Sequence, residues 1–225
     1  MIINEQLKII YKSYLEILKV QSAQNPEQFS YPLFMKVFPD YENVQRKILF
    51  VGKETYGWID TMKNVSILTV EFLMDSYEEF EFAKDYHSRN SPFWRFVKMF
   101  YQSINGNQLP NGFLWTNFSK CDTNGTTPSF ENQKLNEIGF NLIIDEIKTV
   151  KPNIILFLTG WTFEQHFQRV FKGLNYITIE KDFIYQCKHP LLPDKTFMTM
   201  HPNGLNFRNK FTSTLDIIKS LCNEN

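Results

Sequence analysis

Cysteine is scarce in this sequence, its charges cancel, and no apolar run is long enough to span a bilayer. The three cysteines, Cys121, Cys187 and Cys222, are odd in number, far apart and without a C-x-x-C pair. That pattern argues against a disulfide framework or a zinc site, and no metal or cofactor is expected. The 24 Lys and Arg balance 24 Asp and Glu, for a formal net charge of zero. That balance is evidence against a strongly nucleic-acid-binding domain, though it does not exclude a local basic face. No stretch approaches the roughly 18 apolar residues of a membrane span. The N-terminus, MIINEQLKIIYKSYLEIL, carries Glu5 early and has no small-residue cleavage site. It reads as an amphipathic helix rather than a signal peptide, so a soluble, cytoplasmic protein is expected. Internal repeats and low-complexity tracts are absent. Gly52-x-x-x-x-Gly57 lacks the Lys-Ser/Thr of a phosphate loop, and no G-x-S-x-G elbow occurs. What is present is an ordinary globular composition: 225 residues, 43% hydrophobic and 16% aromatic, with 22 Phe. Such a chain fits one domain over residues 1–225, with a helical extension at 1–45 packed on it.

Four short apolar runs suit buried strands: Lys47–Gly52, Gly112–Asn117, Asn153–Gly160 and Thr196–His201. Helical patterns fall at about 65–84, 91–104, 131–149, 161–172 and 207–222. The segment Tyr176–Cys187 reads as a hairpin around Lys181-Asp182. Strands alternating with helices imply an α/β protein, a three-layer α/β/α sandwich around a central, mostly parallel four-stranded sheet. Right-handed crossovers place the strand C-termini along one edge, where open α/β sheets bind ligands. Polar residues do follow the strands: Gly-Lys-Glu-Thr-Tyr after the first, Thr-Asn-Phe-Ser-Lys-Cys at the second, His-Pro-Asn-Gly-Leu after the fourth.

These three segments, Gly52-Lys53-Glu54-Thr55-Tyr56, Thr116–Cys121 and His201–Leu205, resemble the motifs of the uracil-DNA glycosylase superfamily. The family carries G-Q-D-P-Y or G-x-x-P-G, an Asn after a middle strand, and H-P-S-P-L. The piece T-N-x-x-K-C also occurs in its iron–sulfur branches, but three scattered cysteines supply too few thiolates for a cluster. The likeness covers about residues 47–215. Thr55 replaces the motif proline, Lys53 stands where Gln or Glu is usual, and Gly204 replaces the second proline of H-P-S-P-L, which predicts a more flexible loop there.

The resemblance implies a uracil-DNA glycosylase-like fold and hydrolysis of the N-glycosidic bond of uracil, or another deaminated base, flipped out of DNA. Glu54 and His201 would be the catalytic pair. Glu54 would stabilise the sugar cation and orient or deprotonate the attacking water; His201 would donate a hydrogen bond to the departing base. Gly52, Lys53, Tyr56 and Asn117 would bind substrate, the Asn117 amide matching the O4 and N3–H edge of uracil. Leu205 would wedge into the duplex, with Arg208, Lys210 and Lys120 on the DNA. The stacking ring would come from Phe72, Phe80, Phe82, Phe93 or Phe96, while His87, His166 and His189 have no motif around them. A monomer acting on single- or double-stranded DNA is expected, with no membrane partner. Plainer roles exist for each residue: Glu54 satisfied by turn amides, Asn117 capping a loop, Leu205 and the lysines on an ordinary solvated loop. Two other readings stay open. One is a glycosylase-fold protein that binds nucleic acid or a nucleobase without cleaving it, and the other is a doubly wound protein acting on a small metabolite.

Overall fold

A computed structural model describes residues 2–23, 28–82, 90–126 and 133–224. The chain divides into two compact, interleaved units. One comprises Met1–Val37, Lys53–Ala83 and Thr116–Val150, and the other Phe38–Gly52, Lys84–Trp115 and Lys151–Asn225.

The sheet defines an α/β protein. Its strands are β1 (Ile48–Gly52), β2 (Phe113–Asn117), β3 (Ile154–Phe157), β4 (Asn175–Glu180), β5 (Ile184–Lys188) and β6 (Lys195–Thr199), in the order β2-β1-β3-β6-β5-β4. β1, β3 and β6 run parallel, Ile48 opposite Ile154 and Ile154 opposite Lys195. β5 is antiparallel to β6, and β4 to β5. The four expected strands are β1, β2, β3 and β6. The sheet is nonetheless six-stranded, not four-stranded, because the hairpin joins it through β5. Its sequence hides this: β5 buries only Ile184 and Cys187, and β4 at the sheet edge is largely exposed. Asp182, in the turn, takes a left-handed conformation with φ 68°, one that Asp tolerates better than most residues.

In the second unit, α4 (Pro92–Asn105) begins at Ser91, whose hydroxyl accepts from the Trp94 N–H at 3.4 Å, with Pro92 in the first turn. The helix buries Trp94, Phe96, Val97, Phe100 and Tyr101. Phe50 of β1 meets Phe100 and Phe113 edge-on, at 6.0 and 5.7 Å between centroids. Burying each such side chain stabilises by roughly 1.5–3 kcal/mol. The same helix packs on α7 (Pro202–Phe207) and α8 (Phe211–Asn223). Arg95 donates to Asn206 Oδ1 at 3.1 Å and lies over Phe211.

In the first unit, α1 (Ile2–Ser22) packs on α5 (Gln133–Val150). Leu7, Tyr11, Leu15 and Leu18, spaced four, four and three residues, form its buried stripe. Tyr11 stacks on Phe34 at 4.2 Å. Asn4 exchanges two hydrogen bonds with the Val37 backbone, at 2.9 and 2.8 Å. The N-terminal helix is thus an integral part of this unit. α3 (Val70–Phe82) also contacts α1. Among the described residues the other α-helices are α2 (Pro39–Asn43) and α6 (Glu164–Val170), both in the second unit. Among the described residues no helix is long and apolar enough to cross a membrane.

Candidate functional site

The first unit receives the chain after Gly52, the last residue of β1, and after Trp115, two residues before β2 ends. The two segments that follow are stitched together. The Ser119 N–H donates to the Lys53 carbonyl at 2.7 Å. Asp122, a buried carboxylate, accepts from the Thr55 hydroxyl at 2.7 Å and the Gly57 N–H at 2.8 Å. Its other oxygen accepts from the Gly125 N–H at 2.6 Å, and its own N–H donates to the Ser30 hydroxyl at 2.9 Å. Gly57 has φ 64°, a left-handed conformation that glycine adopts without cost. Glu54 therefore lies between two fixed points, the Lys53 carbonyl and the buried Thr55 side chain, and is itself half-buried.

Asn117 closes β2 and is 5% exposed. Beside it runs a buried polar chain. The Lys120 ammonium donates to the Thr116 hydroxyl at 2.5 Å and to Glu146 Oε2 at 2.6 Å. Thr116 donates to the same oxygen at 3.2 Å, and the Tyr11 hydroxyl to Oε1 at 3.0 Å. Burial pushes the Lys120 pKa down against the pull of Glu146. Burial likewise pushes Glu146 up against the pull of Lys120, and raises the Tyr11 hydroxyl well above its usual value. Lys120 was expected on the DNA face; at 1% exposure it is an interior ion pair and cannot reach a phosphate. Tyr56, expected to flank the base, is 91% exposed, its ring beside Gly125. Of the candidate stacking rings in this unit, Phe72 is partly exposed and set edge-on to Tyr31, and Phe80 packs on Trp58. His87 lies outside the described residues, as does the Phe82 side chain.

In the second unit, His201 caps α7. Its Nδ1 accepts from the Asn203 N–H at 3.3 Å. In the neutral ring that leaves Nε2 carrying the proton. The ring is half-buried and stacks on Phe93, 5.8 Å between centroids with 19° between planes. Gly204 was expected to loosen this loop; instead it lies inside a helical turn, its N–H donating to the His201 carbonyl at 2.8 Å. A Cβ there would come within 2.8 Å of the Met200 sulfur.

Leu205 was expected to protrude as a wedge. It is 0% exposed, because the helical turn begun at Pro202 rotates it inward. Two residues on, roughly 200° around a 3.6-residue helix, Phe207 is 88% exposed. Arg208 is exposed as well, whereas Lys210 pairs with Glu180 at 2.7 Å and sits over the Phe183 ring. Phe96 is buried and cannot serve as a stacking platform. His166 is buried, and His189 accepts from the Leu191 N–H at 3.2 Å.

Sequence reasoning missed Asp122, Ser30, Glu146, Tyr11 and Phe207. Glu146 left a signal, a carboxylate on the helix face shared by Ile143, Ile147 and Val150, where an unpaired charge would be untenable. Phe207 left another, a lone large apolar residue within Asn206-Phe-Arg-Asn. Among the described residues no group of three or more His, Cys, Asp or Glu could hold a metal ion. The chain matches no protein-family model, and no curated protein matches it.

Proposed function

We propose that the chain is a DNA glycosylase of the uracil-DNA glycosylase superfamily, with its three-layer α/β/α fold, acting on uracil or another deaminated base flipped out of DNA. The observation that carries the reading is the stitching of two motif segments in one unit, Ser119 N–H to the Lys53 carbonyl, with Glu54 next on one strand end and Asn117 on the other. A carboxylate and a buried amide delivered from adjacent strand ends are the groups that base excision requires.

In this reading the C1′–N bond breaks and its electron pair leaves on the base. The Glu54 carboxylate stabilises the sugar cation and takes a proton from the water whose oxygen bonds to C1′. The Asn117 amide donates to O4 and accepts from N3–H, a pattern that cytosine does not present. The family resemblance assigns His201 the hydrogen bond to the base oxygen on which negative charge gathers. Glu54 then gives its proton up to solvent, the base anion takes one, and the products are a free base and an abasic site. With Leu205 buried and Phe207 exposed, this reading assigns the wedge role to Phe207 rather than Leu205.

A second reading, binding of nucleic acid or a nucleobase without cleavage, is favoured by the altered first motif, in which Lys53 and Thr55 stand where the family has Gln or Glu and proline.

The test is excision from single- and double-stranded oligonucleotides carrying uracil, hypoxanthine or xanthine, with alkaline strand scission as readout. Wild type is expected to cleave at least one, and Glu54→Gln to lose about 10²-fold or more, as general acid–base contributions do. Binding of the same oligonucleotides with no cleavage, from folded protein in excess, favours the second reading.

A further inference from the structure

We infer that the buried Lys120–Glu146 pair is a positioning device for Asn117, fixing the direction of the base-reading amide. What Asn117 reads rests on the glycosylase proposal; that the pair positions it does not.

Stability alone gives no reason for this pair. Both side chains are withdrawn from water, 1% and 0% exposed. Replacing such a pair by apolar residues of similar volume is often neutral or stabilising. Its location supplies the reason. Lys120 holds Thr116 and Glu146 together, and Glu146 is held in turn by the Tyr11 hydroxyl of α1, which accepts from the Met35 N–H at 3.2 Å. Thr116 is the residue before Asn117 in β2. Successive strand side chains point to opposite faces, and a slip of one residue exchanges them. Pinning Thr116 onto Glu146 of α5 therefore sends Asn117 to the other face.

Lys120 reaches back from three residues beyond Asn117, so the short loop between them is anchored at both ends. Within that loop Ser119 donates to the Lys53 carbonyl, the peptide that leads into Glu54. One buried cation thus acts on the amide through Thr116 and on the carboxylate segment through the Ser119–Lys53 hydrogen bond. Gly139 of α5 leaves room for the lysine stem, since a Cβ there would stand 3.1 Å from Lys120 Cγ.

The experiment compares wild type, Lys120→Met/Glu146→Leu and Thr116→Val. Lys120→Met alone would orphan a buried carboxylate; the double variant removes both charges, and Thr116→Val removes only the hydroxyl. Three readouts are taken: thermal melting, the Asn117 side-chain amide resonance (assigned by its loss in Asn117→Ala), and single-turnover excision alongside oligonucleotide binding. Positioning predicts folded variants whose Asn117 amide signal shifts or broadens. It also predicts a kcat about tenfold or more below wild type, as small misplacements produce, with oligonucleotide Kd within about twofold. An unchanged amide signal and wild-type kcat in a folded double variant would overturn it. If wild type excises no base, the glycosylase reading fails separately, and the amide resonance of the folded variants still decides whether the pair positions Asn117.

Discussion

Asp122 gives the loop after β1 the rigidity that a proline would otherwise supply. Proline fixes one backbone angle and removes a donor. Thr55, in the same place, contributes a hydroxyl that reaches Asp122, and the same carboxylate takes the Gly57 and Gly125 amides. Hydrogen bonds to a charged acceptor are roughly twice as strong as neutral ones, so the departure from the motif costs the loop little order. Phe207 is the residue that the fold singles out in the opposite way, a large ring left in solvent. Phe207→Ala is expected to leave the melting temperature unchanged, within the ±0.5 kcal/mol usual for surface sites. In the glycosylase reading it lowers excision from double-stranded substrate more than from single-stranded, which parallel time courses on the two substrates will show. Lys120 explains why residue-scale reading of a sequence fails where it does. A lysine in a loop defaults to solvent, and its burial depends on Glu146, 26 positions away on an element that only the fold brings near.

Elements with a continuous apolar run declared themselves. β1, β2 and β3 are buried at every position, and each fell within an expected strand. β4 and β5 were expected as a hairpin, but their membership of the sheet was not legible, since β5 buries only Ile184 and Cys187 and β4 buries none of its residues. The six-residue α7 was read as loop, because one short turn carries no periodicity; its signals were only the His201 cap and Pro202. Of the candidate site, the order of Glu54, Asn117 and His201 after their strands was legible, while the network that holds Asn117 was not. α5 carries the element-scale prediction. Gly139→Ala gains up to about 1 kcal/mol of helix propensity, but its Cβ meets a lysine stem fixed at its far end by two hydrogen bonds. Overpacking of that kind costs about 1–3 kcal/mol. A net loss is expected, measurable as a lower urea midpoint with unchanged slope.

The whole molecule responds to alkali through groups that burial keeps protonated. The Cys187 thiol is pushed up to about 12 by burial. An unfolded thiol ionises near 9, so between these values the unfolded chain binds fewer protons than the folded one, and stability falls as pH rises. Each such group contributes up to about 1.4 kcal/mol per pH unit over that window. Melting followed from pH 8 to 11 should show the decline, and Cys187→Val should make it shallower. A variant with the wild-type slope would remove Cys187 from the cause.

The pairing of α1 with α5 bears on how the chain is made. Tyr11 finds Glu146 across 135 positions, and about 110 residues separate the two helices. At the roughly 5–20 residues per second of translation, α1 leaves the ribosome on the order of ten seconds before its partner exists. During that interval the stripe of Leu7, Tyr11, Leu15 and Leu18 has only Phe34 and α3 to cover it, and the α5 face of the packing is missing. The nascent chain therefore carries this helix half-packed until α5 arrives, which makes the α5-facing side of α1 its longest-lived uncovered apolar surface.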